Sequence, residues 1–73
     1  MLRYLNIAKP IAMTHIVHEV KVHGFYMVHC ASLVLDARNQ HELIRRIRVM
    51  AMRAKLRVAF NEKGNLCIFE DFQ

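Results

Sequence analysis

Residues 39–57, NQHELIRRIRVMAMRAKLR, combine a helical spacing of apolar residues with most of the chain's positive charge. The apolar spacing predicts a single buried stripe, made of Leu43, Ile47, Met50, Ala51 and Ala54. Asn39 is a favourable N-cap residue, and Glu42 stands three positions later, as in a capping box. The sequence therefore predicts an amphipathic helix over residues 39–55 that lays its apolar stripe on a core.

The net positive charge of the chain lies in this part. Residues 38–57 contain seven Arg or Lys and one acid, a net charge of +6, whereas the rest of the chain contains four basic and five acidic residues, a net charge of −1. A helix with one strongly basic side suits nucleic acid, an anionic lipid surface or an acidic protein. Charge alone does not choose among the three.

The length of the chain predicts a single domain over residues 1–73. With 55% apolar residues, two Gly and one Pro, the composition is that of a folded chain. A domain of this size buries only about 60% of its unfolded surface. We therefore expect apolar surface left over for a homodimer or for another partner.

The first half of the chain predicts a hairpin. Residues 1–13 are interpreted as an irregular lead-in. From Thr14 to His23 polar and apolar residues alternate and β-branched residues are frequent, which favours a strand. Gly24 supplies the positive φ of a tight turn, and residues 25–36 form the second strand of a hairpin over 14–36. In this register His18 lies opposite His29.

The last third of the chain predicts a second hairpin, over residues 56–69. Leu56 to Phe60 alternate as in a short strand, Asn61 to Gly64 form a turn, and Asn65 to Phe69 form the last strand. An acidic tail follows over residues 70–73. The fold class is then α+β, in the order β-β-α-β-β, with one basic amphipathic helix packed on an antiparallel sheet.

Signals for catalysis and for cofactors are absent from the sequence. The five histidines and two cysteines show no metal-ligand spacing, and Cys30 and Cys67 leave a single disulfide open as an alternative to reduced thiols. There is no nucleophile motif or Gly-rich phosphate loop. Lys9 and Pro10 interrupt the apolar start, so we expect no signal peptide or membrane span. The sequence predicts a cytoplasmic protein that is not an enzyme and holds no metal or cofactor.

A binding function remains, and the residue types favour a protein partner. Arginines could neutralise phosphates, but no nucleic-acid-binding motif accompanies them, and a solvated basic face is an equally simple interpretation. Protein interfaces favour Arg, and Met adapts to irregular apolar contacts. The predicted site binds an acidic, amphipathic protein and consists of Arg45, Arg46, Arg48, Val49, Met52 and Arg53. The alternatives are a small basic nucleic-acid-binding protein and an inhibitor of some other host protein.

Several segments resemble known inhibitors of bacterial cell division. The run from Glu42 through Arg57 is similar to the C-terminal helical part of the DicB type of cryptic-prophage inhibitor. The segments HEVKVHGFY (18–26) and LDARNQHELIRRIRVMAMRAKL (35–56) resemble the Kil group of prophage division inhibitors more closely. The resemblance implies a non-enzymatic, toxin-like protein that blocks septation. Its implied target is FtsZ, the tubulin-like protein of the division ring, or a regulator of FtsZ such as MinC.

Overall fold

The computed structural model describes residues 11–34 and 36–72, which form two α-helices and a three-stranded antiparallel sheet. The elements in chain order are α1 (Met13–His23), β1 (Phe25–His29), a 3₁₀ turn (Cys30–Ser32), α2 (Gln40–Arg53), β2 (Leu56–Phe60) and β3 (Leu66–Asp71). The strands lie in the order β1-β3-β2. The predicted α+β class is confirmed, but the predicted order β-β-α-β-β is wrong because the first regular element is a helix.

The segment predicted as the first strand is α1. Its buried residues are Ile16 and Val20, with Met13 and Val17 partly buried beside them, which is a helical spacing. Val22, which an alternating strand would place beside Val20, is 57% exposed. Burial of one helical stripe thus outweighs the β-propensity of the branched residues. Of the predicted lead-in, residues 1–10 lie outside the described residues.

Gly24 has the predicted positive φ, but it ends a helix instead of turning a hairpin. Its φ is 90°, and its N–H donates to the carbonyl of Val20 at 2.8 Å. The predicted hairpin over 14–36 is therefore wrong. Strand β1 ends at His29 and pairs with β3, which places His29 opposite Leu66 and leaves His18 on α1. The predicted pairing of the two histidines does not occur.

Helix α2 forms as predicted. The Asn39 side chain accepts the backbone N–H of Glu42 at 2.9 Å. The Glu42 carboxylate accepts the backbone N–H of Arg38, not that of the N-cap residue, so the capping box is shifted by one position. Ile47 and Ala51 are buried, at 0% and 2% exposure. The rest of the predicted stripe is partly buried: Leu43, Met50 and Ala54.

The second hairpin is confirmed with a shift at its end. β2 spans the predicted residues, and β3 runs from Leu66 to Asp71, so the first two residues of the predicted acidic tail belong to a strand. Asn61 organises the turn, because its side-chain oxygen accepts the backbone N–H groups of Asn65 and Leu66 at 3.0 Å.

Both helices pack on one face of the sheet, and no other element of the described residues covers the opposite face, which we call the open face. The inner side of β3 carries Cys67 and Phe69, both at 0% exposure. α1 packs on β1 and β3, whereas α2 packs on β2 and on the 3₁₀ turn. On the opposite face Phe25, Met27 and Ile68 are 50%, 54% and 36% exposed. Hydrophobic burial is thus one-sided, as in other two-layer α+β domains.

A glycine-to-alanine pair tests the turn before β3. Gly64 (φ 73°) and Gly24 (φ 90°) both have positive φ. A Cβ on Gly64 would meet the side chain of Gln40, whose Nε2 donates to the carbonyl of Lys63. A Cβ on Gly24 would meet no atom within 4 Å. Both Gly→Ala changes cost about 1–2 kcal/mol of backbone strain. Gly64→Ala should cost about 1 kcal/mol more because it displaces the hydrogen bond. Urea unfolding measures the difference; equal losses would contradict the proposed contact.

Candidate protein-binding site on helix α2

The exposed side of α2 brings together four of the six predicted site residues. Since Ile47 and Ala51 point into the core, the helical period places Arg45, Val49 and Met52 on the side away from it, with Arg48 at the edge of that side next to β2. We call these four residues the outer face of α2. Val49 is 37% exposed and Met52 is 69% exposed, so the outer face has an apolar centre within a basic surround.

The other two predicted residues, Arg46 and Arg53, lie on the flank of α2 that faces the segment after the 3₁₀ turn. Arg46 donates from Nη1 to Oδ1 of Asp36 at 2.8 Å. The two side chains are 45% and 80% exposed, so the pair contributes less than about 1 kcal/mol of stability. It nevertheless halves the net charge that this flank presents to a partner. Arg46 is therefore a weaker candidate than its neighbours.

Arg48 is positioned by an aromatic ring. Its guanidinium carbon lies 5.5 Å from the centroid of the Phe60 ring, which is a cation–π contact. The contact joins α2 to β2 and restrains the Arg48 side chain without neutralising it. Within residues 11–34 and 36–72, no carboxylate forms an ion pair with Arg45, Arg48 or Arg53. These three cations are available to an acidic partner.

Two grooves flank the outer face. The first, with a volume of about 660 Å³, lies between α2 and a wall formed by Leu33, Val34 and Asp36; we call it the loop groove. The carboxylates of Asp36 and Glu42 line it together with the arginines. The second, of about 450 Å³, lies between the C-terminal half of α2 and β2; we call it the β2 cleft. Its lining is Arg48, Ala51, Met52, Lys55, Leu56, Val58 and Phe72.

Sequence reasoning did not include most of the β2 cleft in the site. Leu56 and Val58 lie on β2, which packs on α2, and Phe72 joins them through the pairing of β3 with β2, where Leu56 opposes Asp71. The one local signal was the basic and aromatic character of residues 55–60. The exposure of Phe72, at 66%, follows from the end of the strand and has no sequence signature.

The N-terminal end of α2 contains a carboxyl group whose pKa is lowered, that of Glu42. The pKa of Glu42 lies below its ordinary value of 4.5, because the carboxylate accepts the backbone N–H of Arg38 at 2.9 Å and its Nε at 3.2 Å. A depressed pKa in the folded state stabilises the fold above the ordinary pKa. This contribution is lost as the pH falls through the lower folded value.

A Glu42→Gln variant tests this contribution. We expect the thermal midpoint of the natural chain to fall between about pH 5.5 and about pH 3. The Glu42→Gln variant should have a lower thermal midpoint than the natural chain at about pH 5.5. Its midpoint should then fall less between about pH 5.5 and about pH 3, because an amide does not titrate. Glu62→Gln in the exposed 61–64 turn is the matched control, and its thermal midpoint should change with pH as that of the natural chain does. Identical slopes for all three proteins would contradict the assignment.

The described residues offer little for other chemistries. Within them, no group of three His, Cys, Asp or Glu is placed to hold a metal ion. Neither of their two α-helices has the length and apolar character needed to cross a membrane. The free thiols of Cys30 and Cys67 are both buried, and burial with the neighbouring Cys30 raises the pKa of Cys67 to about 12. A thiol held in its neutral form is a poor nucleophile.

Comparisons with models of protein families, with curated proteins and with solved structures find no match for this chain. The geometry of α2 and its grooves is therefore the basis for any functional conclusion, together with the segment resemblance noted in the sequence.

Proposed function

We propose that the chain is a non-enzymatic, prophage-encoded inhibitor of bacterial cell division. It acts in the host cytoplasm by binding FtsZ, or a regulator of FtsZ such as MinC, through the outer face of α2. The observation that carries the binding part is the exposed apolar pair Val49 and Met52 beside cations that have no acidic partner among the described residues. The resemblance of residues 18–26 and 35–56 to the Kil group supplies the biological setting.

The mixed character of the outer face favours a protein over nucleic acid. Phosphate groups would pair with Arg45, Arg48 and Arg53, but a phosphate backbone has no apolar surface to cover Met52. Protein interfaces combine apolar centres with Arg-rich rims, and Met and Arg are enriched in them. An acidic protein with an apolar patch can cover Val49 and Met52 and can also pair its carboxylates with the surrounding arginines.

Binding to purified FtsZ tests the proposal directly. The chain should co-sediment with FtsZ polymers, and its affinity should fall as NaCl rises from about 50 to about 300 mM, because salt screens the arginine contacts. MinC and random-sequence duplex DNA are measured in parallel. Binding to MinC alone would identify the regulator as the target. Binding to DNA alone, with normal division in cells, would contradict the proposal and favour the nucleic-acid alternative.

We also propose that two copies of the chain form a homodimer through the open face of the sheet. Phe25, Met27 and Ile68 are exposed there, and Arg57 lies opposite Glu70, so the charges of this face cancel within one copy. The basic side of α2 is in the other layer, and two copies that met there would repel. Met27→Glu should shift the mass measured by light scattering from dimer to monomer, while Lys21→Glu should not. An unchanged mass would contradict this surface.

A further inference from the structure

The β2 cleft differs from the loop groove in both charge and shape. Among the described residues, its charged lining residues are Arg48 and Lys55, whereas two carboxylates line the loop groove. The remaining lining is apolar, from residues of α2, β2 and the end of β3. A cleft of about 450 Å³ falls in the usual range for ligand pockets, about 300–1,000 Å³. It suits a large apolar side chain whose neighbours carry negative charge.

The wall of this cleft formed by β2 is also an edge of the sheet. β2 is last in the order β1-β3-β2, and within the described residues it pairs with β3 alone. One side of Leu56–Phe60 therefore presents backbone N–H and C=O groups without a strand partner. An exposed edge of this kind accepts an extended peptide as an additional strand.

Lys55 holds an unusual backbone conformation at the mouth of the cleft. Its φ is 60°, and among the described residues other than glycine it is the one with positive φ. This position follows the C-cap residue Ala54, where helices usually place a glycine. A lysine is less stable than a glycine in this conformation, but it places a cation beside the apolar lining. The strain is explained if the cation binds a partner.

We propose that the β2 cleft binds an extended, acidic segment of the partner protein. The segment adds as a fourth strand along the free edge of β2 and inserts a large apolar side chain between Met52 and Phe72. Its carboxylates pair with Arg48 and Lys55. This inference rests on the proposed function, since it names the part of the acidic partner that the α2 region recognises.

A synthetic peptide tests the inference without knowledge of the target. The probe is a capped, fluorescein-labelled heptapeptide with leucine at its centre and aspartates two positions before and after it, so that all three side chains face the cleft in an added strand. Fluorescence anisotropy measures its binding to the full chain. We expect saturable binding that a lysine–leucine control peptide does not show. Amide hydrogen exchange should slow at residues 56–60 on binding, because a strand added at the edge protects the outward N–H groups.

Matched substitutions locate the binding site. Lys55→Gln should weaken peptide binding about threefold to tenfold, while the same change at Lys21 on α1 has no effect. Phe72→Ala should weaken it about tenfold or more, while Phe25→Ala on the open sheet face does not. Lys55→Gly should raise the thermal midpoint and yet weaken binding, because it relieves the strain and removes the charge.

Three results would overturn the inference: no saturable peptide binding, unchanged binding in both cleft variants, or no slowing of exchange along β2. Growth inhibition in cells is measured separately for the natural chain. If the chain blocks division but does not bind the peptide, the cleft assignment fails and the proposed function stands. If it binds the peptide as described but cells divide normally, the cleft assignment stands and the proposed function fails.

Discussion

Replacing both Arg45 and Arg48 by glutamate should abolish growth inhibition and weaken binding to the acidic partner at least about a hundredfold, or about 3 kcal/mol. The two changes replace positive by negative charge in the basic surround of the outer face of α2, so an acidic partner is repelled. Neither side chain is buried, and neither forms an ion pair within the described residues, so the fold should persist. The loss of the contact between Arg48 and Phe60 should cost less than about 1 kcal/mol.

The control for this variant carries the same change of net charge at other sites. Lys21→Glu on α1 and Lys63→Glu in the 61–64 turn, made together, alter the total charge equally but leave α2 intact. This protein should keep most of its inhibition. Circular dichroism verifies that both proteins retain the two helices. Full inhibition by a folded Arg45→Glu, Arg48→Glu chain would contradict the role of the outer face.

Replacing Phe69 by alanine should remove a large share of the domain's free energy of unfolding. Phe69 is 0% exposed and lies on the central strand β3, between Tyr26 of β1 and Val58 of β2. Removing a buried phenylalanine ring costs about 3–5 kcal/mol. A domain of 73 residues has a total stability of about 4–11 kcal/mol at the usual value per residue. A single core substitution therefore removes a large share of the stability.

The neighbouring Phe72→Ala change provides the comparison. Phe72 is 66% exposed, so its loss should cost less than about 1 kcal/mol. Urea unfolding followed by circular dichroism measures both variants. A Phe69→Ala chain whose midpoint matches that of Phe72→Ala would contradict the placement of the core on the inner face of β3.

The parts of the fold that could be predicted from sequence are those with local signals. Helix α2 carries a cap at Asn39 and an apolar stripe at helical spacing, and both of these act within a few residues. The turn after β2 is fixed by Asn61 and by Gly64, whose φ is 73°. Such signals need no knowledge of distant partners, and the structure has both elements where they were expected.

The first half of the chain shows why the rest could not be predicted. The segment of α1 satisfies two patterns at once, alternation through Ile16, Val20 and Val22 and a helical stripe through Ile16 and Val20. The choice between them depends on tertiary packing, because Ile16 and Val20 are buried where α1 packs on β1 and on β3, and β3 lies more than forty residues away in the chain. Likewise Phe72 and Lys55 become neighbours in the β2 cleft only after the second hairpin has formed.

The most direct test of the central claim is the shape of growing bacteria that express the natural chain. Phase-contrast and DNA-fluorescence microscopy would measure cell length and the spacing of nucleoids after induction. The account predicts long or swollen undivided cells with separated nucleoids, and normal division when Arg45 and Arg48 are both replaced by glutamate. Normal division with the natural chain present at a verified level would contradict the proposal that it inhibits septation.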